Sequence, residues 1–123
     1  MKRILVVDDD EHLREALWAF LSDEDHSVDA ARDGLEALEL LARNQYDVIL
    51  SDLRMPGLDG PALYAALRTM RHPGGKPRVI FMTGNVKGAD YSAFLQENTE
   101  PILEKPFRLD VARRVVSVML GEP

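Results

Sequence analysis

Short apolar runs alternate along this chain with segments of helical periodicity. The runs at residues 4–7, 48–50, 79–82 and 102–103 are continuously apolar, without the alternation of a half-solvated strand. Continuous apolarity is typical of strands that are buried on both faces of a parallel sheet. A weaker run at residues 27–31 adds a further strand. Strands that alternate with helices in this way predict βαβ units and an α/β fold.

Apolar residues at helical spacing fill the intervals between the predicted strands. Their positions are Leu13, Leu17, Phe20 and Leu21; Leu35, Leu38 and Leu41; a segment from Pro61 to about Met70; Tyr91, Phe94 and Leu95; and Val111, Val115, Val118 and Met119. About five strands and five helices therefore form one right-handed doubly wound unit. Because no internal repeat or interdomain linker interrupts the pattern, we expect a single domain over residues 1–123.

Polar side chains stand where the predicted strands end. Residues 8–10 are three aspartates after the first strand, Asp52 ends the third, Thr83 ends the fourth, and Lys105 follows the fifth. In an open parallel sheet these ends converge on the edge where such folds place their ligands. Clustered carboxylates repel one another unless a cation holds them together. Carboxylates, a hydroxyl and an ammonium at one point suit a divalent cation and a phosphoryl group.

Composition excludes several classes of protein. A formal net charge of −6 argues against nucleic acid as a direct partner. The absence of cysteine excludes a disulfide framework and a Cys-based zinc site. No apolar run approaches membrane-spanning length, and the apolar stretch after Met1-Lys2-Arg3 is too short for a signal peptide. We therefore expect a cytoplasmic location and no membrane contact.

The order of these motifs resembles two-component response regulator receiver domains over essentially the whole chain. The motifs that carry the resemblance are Asp8-Asp9, Asp52, Met55-Pro56-Gly57, Asp59-Gly60, Thr83 and Lys105-Pro106. Residues 102–107 also resemble the receivers fused to hybrid sensor kinases. The resemblance implies a flavodoxin-like, doubly wound five-stranded parallel sheet of order 2-1-3-4-5 with five helices.

The resemblance also implies a role for each strand-end residue. Asp52 would be the nucleophile that accepts a phosphoryl group from a phosphohistidine on a kinase. Mg²⁺ would be held by Asp9 as the more direct ligand, by Asp52 and by the backbone carbonyl of Arg54. Asp8 would act through water or orient the other ligands. Without the metal, we expect at least one carboxylate to have a raised pKa. The protein would catalyse only its own phosphorylation and dephosphorylation.

Two further residues would contact the phosphoryl group. Thr83 would donate its hydroxyl to a phosphoryl oxygen. Lys105 would pair with Asp52 at rest and with a phosphoryl oxygen after transfer, and the family's Lys-Pro bond is cis. The sequence has Ile102 where many relatives have an aromatic ring, so an aromatic rotamer switch is not available there. Coupling is then either weaker or carried by shifts in residues 84–88, and Arg54 and Asn85 would flank the site.

Several surface residues remain open to two interpretations. Asp10 suits the N-cap of the first helix. Trp18 lies off the apolar stripe and is either a protein-docking anchor or packed along its own helix. The last helix, with Val116 and Leu120 outside its stripe, offers either a homodimer surface or a contact with another part of a longer protein. The three histidines at positions 12, 26 and 72 are interpreted as surface residues.

The expected partner is a sensor histidine kinase or a histidine phosphotransfer protein. Two rivals remain. One is a receiver-like interaction module that is not phosphorylated, which the complete set Asp9, Asp52, Thr83 and Lys105 argues against. The other is an aspartate-nucleophile phosphohydrolase, which would have two aspartates separated by one residue after the first strand.

Overall fold

Five parallel strands form one sheet at the centre of the domain. The computed structural model describes residues 1–84 and 91–123. The strands are β1 (Lys2–Val7), β2 (His26–Ala31), β3 (Val48–Asp52), β4 (Arg78–Thr83) and β5 (Ile102–Glu104). All pairings are parallel, and the order across the sheet is β2-β1-β3-β4-β5. The predicted topology is therefore confirmed.

Five helices connect the strands. They are α1 (Glu11–Leu21), α2 (Gly34–Arg43), α3 (Gly60–Thr69), α4 (Ser92–Glu97) and α5 (Leu109–Met119). The first three each begin after an aspartate whose carboxylate accepts hydrogen bonds from backbone N–H groups of the first turn. Asp10 does this for α1, which confirms its interpretation as an N-cap. None of the helices in the described ranges is long and apolar enough to cross a membrane.

The sheet is covered on both faces by separate apolar clusters. Successive residues of a strand point to opposite faces, so Ile4 and Val6 join one cluster while Leu5 and Val7 join the other. The first cluster includes buried side chains of α1 and α5, and the second includes those of α2 and α3. Burial on both faces explains why the strands are continuously apolar in sequence.

Two of the predicted helix stripes were wrong in detail. Leu35 of α2 is 60% exposed, and Val118 of α5 is 62% exposed, although both were predicted to face the core. The buried residues of α5 are Ala112 and Val116, so Val116 lies in the core and not outside it. On α2 the small Ala37 lies at the centre of the buried face. A helix that packs closely on a sheet favours small residues at the contact, which shifts large aliphatic side chains to the flanks.

The first helix and the histidines also depart from expectation. Phe20 is more than a third exposed, and Trp18 is 51% exposed while its indole N–H donates to the Val28 carbonyl at 3.1 Å. Trp18 is therefore partly exposed and bonded to β2, and its role as a docking anchor stays a prediction. His12 is exposed as predicted, but His72 is half-buried with its Nε2 2.8 Å from the Leu67 carbonyl.

His26 was wrongly predicted to be a surface residue. Its side chain is mostly buried, with Nδ1 2.7 Å from Asp23 and Nε2 2.8 Å from Glu122. Arg113 of α5 binds the other oxygen of Asp23 at 2.7 Å. Burial alone would lower the pKa of His26, but the two carboxylates outweigh it and raise that pKa. The network joins β2, α5 and the last residues of the chain.

Gly60 brings the start of α3 against the end of β3. A Cβ built on Gly60 would lie 2.6 Å from the Asp52 carbonyl oxygen and 2.9 Å from the Leu53 Cα. Both atoms belong to the backbone, so neither can rotate away. A side chain at this position would push the start of α3 away from Asp52 at the end of β3.

We expect Gly60→Ala to destabilise the domain by about 1–3 kcal/mol through this overpacking. The matched control is Gly84→Ala, because a Cβ there meets no atom of the described residues within 4 Å. The control should change the free energy of unfolding by less than about 0.5 kcal/mol. Urea denaturation of both variants measures the difference, and equal midpoints would contradict the close approach.

Candidate functional site

Three carboxylates meet at the carboxyl edge of the sheet. Asp8 and Asp9 follow β1, and Asp52 is the last residue of β3. One oxygen from each of the three lies within 4.8 Å of the others. Asp8 is 0% exposed and Asp52 is 8% exposed, whereas Asp9 is open to solvent. The convergence expected from the strand ends is therefore present in the structure.

Lys105 binds two of these carboxylates. Its Nζ donates to Asp8 Oδ2 at 2.8 Å and to Asp52 Oδ2 at 3.2 Å. The sequence predicted only the Asp52 contact, yet the shorter contact is with Asp8. The Lys105-Pro106 peptide bond is cis, as the resemblance implied. The Lys105 backbone N–H also donates to the Thr83 carbonyl at 2.7 Å, which fixes the end of β5 beside that of β4.

Asp8 is held in place by donors on both carboxylate oxygens. Its Oδ1 accepts from the Asp10 backbone N–H at 2.9 Å, and Lys105 occupies its Oδ2. The Asp8 carbonyl accepts from the Arg14 guanidinium at 3.0 Å. Asp8 is thus buried and engaged by protein donors, while Asp9 faces solvent. This contrast is consistent with Asp9 as the more accessible oxygen ligand for a cation.

The electrostatics of the site are dominated by burial. Burial raises the pKa of Asp52, and the nearby charges of Asp8 and Asp9 add to the effect, while Lys105 opposes it. Burial alone would lower the pKa of Lys105, but its bonds to Asp8 and Asp52 outweigh burial and raise that pKa. A carboxylate with a raised pKa was predicted for the metal-free site, and Asp52 has it.

The remaining predicted residues surround this cluster. Thr83 is buried at the end of β4. Arg54 is exposed, with its guanidinium 5.6 Å from the centre of the Tyr91 ring. The Tyr91 hydroxyl donates to Asp59 Oδ2 at 3.4 Å. Asn85 and the predicted coupling segment after Gly84 lie outside the described residues.

Tyr91 is a neighbour of the site that the sequence analysis did not identify. Its ring covers Arg54, two residues past Asp52, and its hydroxyl reaches the residue that caps α3. No local motif pairs Tyr91 with Arg54, because the two residues are far apart in sequence and the contact depends on where the start of α4 lies against the segment after β3. Only the three-dimensional arrangement identifies it.

Comparison with known proteins gives the same result for sequence and for structure. The family model described as response regulator receiver domain matches residues 4–117. Response regulator MprA of Mycobacterium sp. (strain KMS) is 39% identical over 108 residues, which cover 88% of this chain and 46% of that protein. The chain spans about half the length of the curated relatives it matches.

Two solved receiver domains superpose on almost the entire chain. The Francisella response regulator 1452 receiver domain has a TM-score of 0.82 at 29% identity and covers 98% of both chains. The receiver domain of sensor histidine kinase PA1611 from Pseudomonas aeruginosa PAO1 has a TM-score of 0.84 at 28% identity and covers 98% of both chains. That structure has a magnesium ion coordinated in its active site cleft. The chain therefore belongs to the family of response regulator receiver domains, the phosphoacceptor switches of two-component signalling systems.

Proposed function

We propose that residues 1–123 are a single receiver domain that accepts a phosphoryl group on Asp52 from a sensor histidine kinase or a histidine phosphotransfer protein. The observation that carries the proposal is the position of Asp52. Its carboxylate lies at the carboxyl edge of the sheet, 3.2 Å from the Lys105 ammonium and beside Asp8 and Asp9. A buried carboxylate with one cation and two further acids around it is unusual for a purely structural residue.

The transfer reaction is a displacement at phosphorus. A carboxylate oxygen of Asp52 forms a bond to phosphorus while the P–N bond to the donor imidazole breaks. Catalysis of this step depends mainly on positioning and on charge stabilisation. Lys105 would move from the Asp52 carboxylate to a phosphoryl oxygen, while its 2.8 Å contact with Asp8 keeps the ammonium at the site. Thr83 would donate its hydroxyl to another phosphoryl oxygen.

The acidic cluster would hold Mg²⁺ during the reaction. The ligands would be Asp9, Asp8 through water, Asp52 and the backbone carbonyl of Arg54. Oxygen ligands from one or two carboxylates plus phosphate oxygen suit this ion. When bound, it neutralises charge that develops on the phosphoryl oxygens. The magnesium ion in the related receiver of PA1611 supports this assignment.

Two exposed surfaces would serve partners. Trp18 presents an exposed ring on α1 and would anchor the kinase or phosphotransfer protein. A homodimer through α5 would use Val111 and Val118, which are the exposed large apolar residues of that helix. Both assignments follow from exposure of large apolar side chains on helix faces that the core does not use.

Labelling with a small phosphodonor tests the nucleophile. We expect acetyl phosphate with Mg²⁺ to phosphorylate the wild type and the exposed-site control Asp25→Asn, but not Asp52→Asn. Lys105→Ala should slow labelling roughly 100-fold, because one preorganised cation at the phosphoryl group is lost. Intact-mass spectrometry follows the product over time. Equal labelling of wild type and Asp52→Asn would refute the assignment of Asp52.

Calorimetric titration tests the metal ligands. Asp9→Asn should weaken Mg²⁺ binding by roughly tenfold or more, because a charged oxygen ligand becomes a neutral one. The matched control is Glu11→Gln, a neighbouring exposed acid in the first turn of α1. If Glu11→Gln weakens binding as much as Asp9→Asn, the effect is one of general charge and the ligand assignment is wrong.

The stability of the metal-free domain should depend on Asp52 and on pH. The folded-state pKa of Asp52 is raised above its ordinary value of 3.8, so the folded domain holds this proton more tightly than the unfolded chain. Protonation of Asp52 therefore stabilises the folded domain. This stabilisation is present below the ordinary pKa and is lost as the pH rises through the folded pKa. Asp52→Asn removes the buried charge, and Lys105 still has Asp8 as its partner.

We therefore expect Asp52→Asn to be more stable than the wild type at neutral pH in the presence of a chelator. The advantage should shrink as the pH falls from the raised folded pKa of Asp52 towards 3.8, and it should be absent below that value. Urea denaturation at a series of pH values measures both trends. A variant that is less stable than the wild type at neutral pH would show that burial does not dominate the pKa of Asp52.

A further inference from the structure

The charges of this chain are distributed unevenly. Residues 60–89 contain five Lys or Arg residues and no Asp or Glu. The rest of the chain carries ten basic and 21 acidic residues, a net charge of −11. The basic stretch includes α3, the connection after it, and β4. An acidic domain therefore contains one distinctly basic stretch of sequence.

A groove of about 240 Å³ opens in this basic region. It lies between the end of α3 and the start of β4, at the opposite edge of the sheet from Asp52. Its charged and polar lining consists of Arg68, His72, Lys76, Arg78 and Glu100, and its apolar lining includes Tyr64 and Val79.

The groove has a positive charge that the protein itself does not neutralise. Glu100 is the one acid in the lining, and both its oxygens are engaged by Arg78 at 3.1 Å and by the Val79 backbone N–H at 2.9 Å. Arg68 and Lys76 are exposed, and no ion pair within the described ranges involves either of them. Two cations therefore remain available at the mouth of the groove.

A second groove of about 460 Å³ continues the first one between α3 and α4. The two share Tyr64 and Arg68 in their linings. The Tyr64 ring packs edge-on against Phe81 at 5.5 Å and Phe94 at 6.2 Å between ring centres. These contacts fix the Tyr64 ring where the two grooves meet. The first groove is cationic, and the second is closer to neutral because its lining contains Glu97.

We propose that this double groove docks an acidic peptide segment of a partner protein. An apolar side chain of the peptide would pack on Tyr64, and carboxylates next to it would pair with Arg68 and Lys76. A rigid aromatic flanked by cations matches this chemistry, since aromatic residues and Arg are the usual anchors of protein interfaces. The proposal goes beyond phosphoryl transfer.

Other anionic ligands fit the groove less well. The free cations of the lining, Arg68 and Lys76, stand on long, exposed side chains, whereas a small anion is typically gripped by backbone N–H groups at a helix start. A nucleic acid is a long polyanion, and the net charge of −11 on the rest of the domain would repel it. A short acidic peptide is repelled less, because it brings only a few negative charges near the acidic residues of the domain.

Selection from a random peptide library displayed on phage tests the proposal on the complete chain. We expect the enriched peptides to combine two or more Asp or Glu residues with one large apolar residue. A labelled synthetic copy of an enriched peptide should bind Arg68→Glu/Lys76→Glu roughly tenfold or more weakly than the wild type. The control Arg43→Glu/Arg114→Glu makes the same change in net charge at two other exposed arginines and should bind like the wild type.

Three results would overturn the proposal. One is enrichment without an acidic bias, and another is equal weakening by the two double variants. The third is a single-stranded oligonucleotide that displaces the peptide and binds more tightly, which would assign the groove to nucleic acid. Circular dichroism of each variant confirms that the substitutions at exposed positions leave the fold intact.

Discussion

The arrangement of the site depends on one cation between two buried carboxylates. Asp8 and Asp52 are buried at the ends of neighbouring strands, where two negative charges would otherwise repel in a poorly solvated space. Lys105 donates to both, and its backbone N–H is bonded to the end of β4. The ends of β1, β3, β4 and β5 are thereby joined electrostatically or by hydrogen bonds. In the proposed transfer the same ammonium would reach a phosphoryl group, because it has two partners and could keep Asp8 while releasing Asp52.

The fold was predictable because its main constraint is local in sequence. Strands that are buried on both faces must be continuously apolar, so the runs that contain Val6, Leu50 and Ile80 are visible without any structure. The ends of parallel strands necessarily converge, so Asp8 and Asp52 could be placed together from the order of elements. The aspartate before α1 was identifiable as a cap because capping is a contact between near neighbours.

The errors arose where long-range packing decides the outcome. Ala112 and Val116 are the buried residues of α5. The prediction placed Val111 and Val118 on the core side, although both are exposed. The preference of Lys105 for Asp8 depends on a distance difference of a few tenths of an ångström. His26 is engaged by Glu122 from the far end of the chain, and no spacing rule connects two residues so distant in sequence. Tyr91 over Arg54 is a further contact of this kind.

The weak attachment of α4 has a consequence for how a signal leaves the site. It is the shortest of the five helices and has no buried residue, and the phenol of Tyr91 at its start reaches the carboxylate that caps α3. Segments with few buried contacts have the lowest local free energy of opening. Phe94 and Leu95 pack against the core only partly, so displacement of α4 would expose less apolar surface than displacement of a helix with fully buried residues. Because Tyr91 at the start of α4 lies against Arg54, two residues past Asp52, a rearrangement at the carboxyl edge would reach α4 directly through this contact.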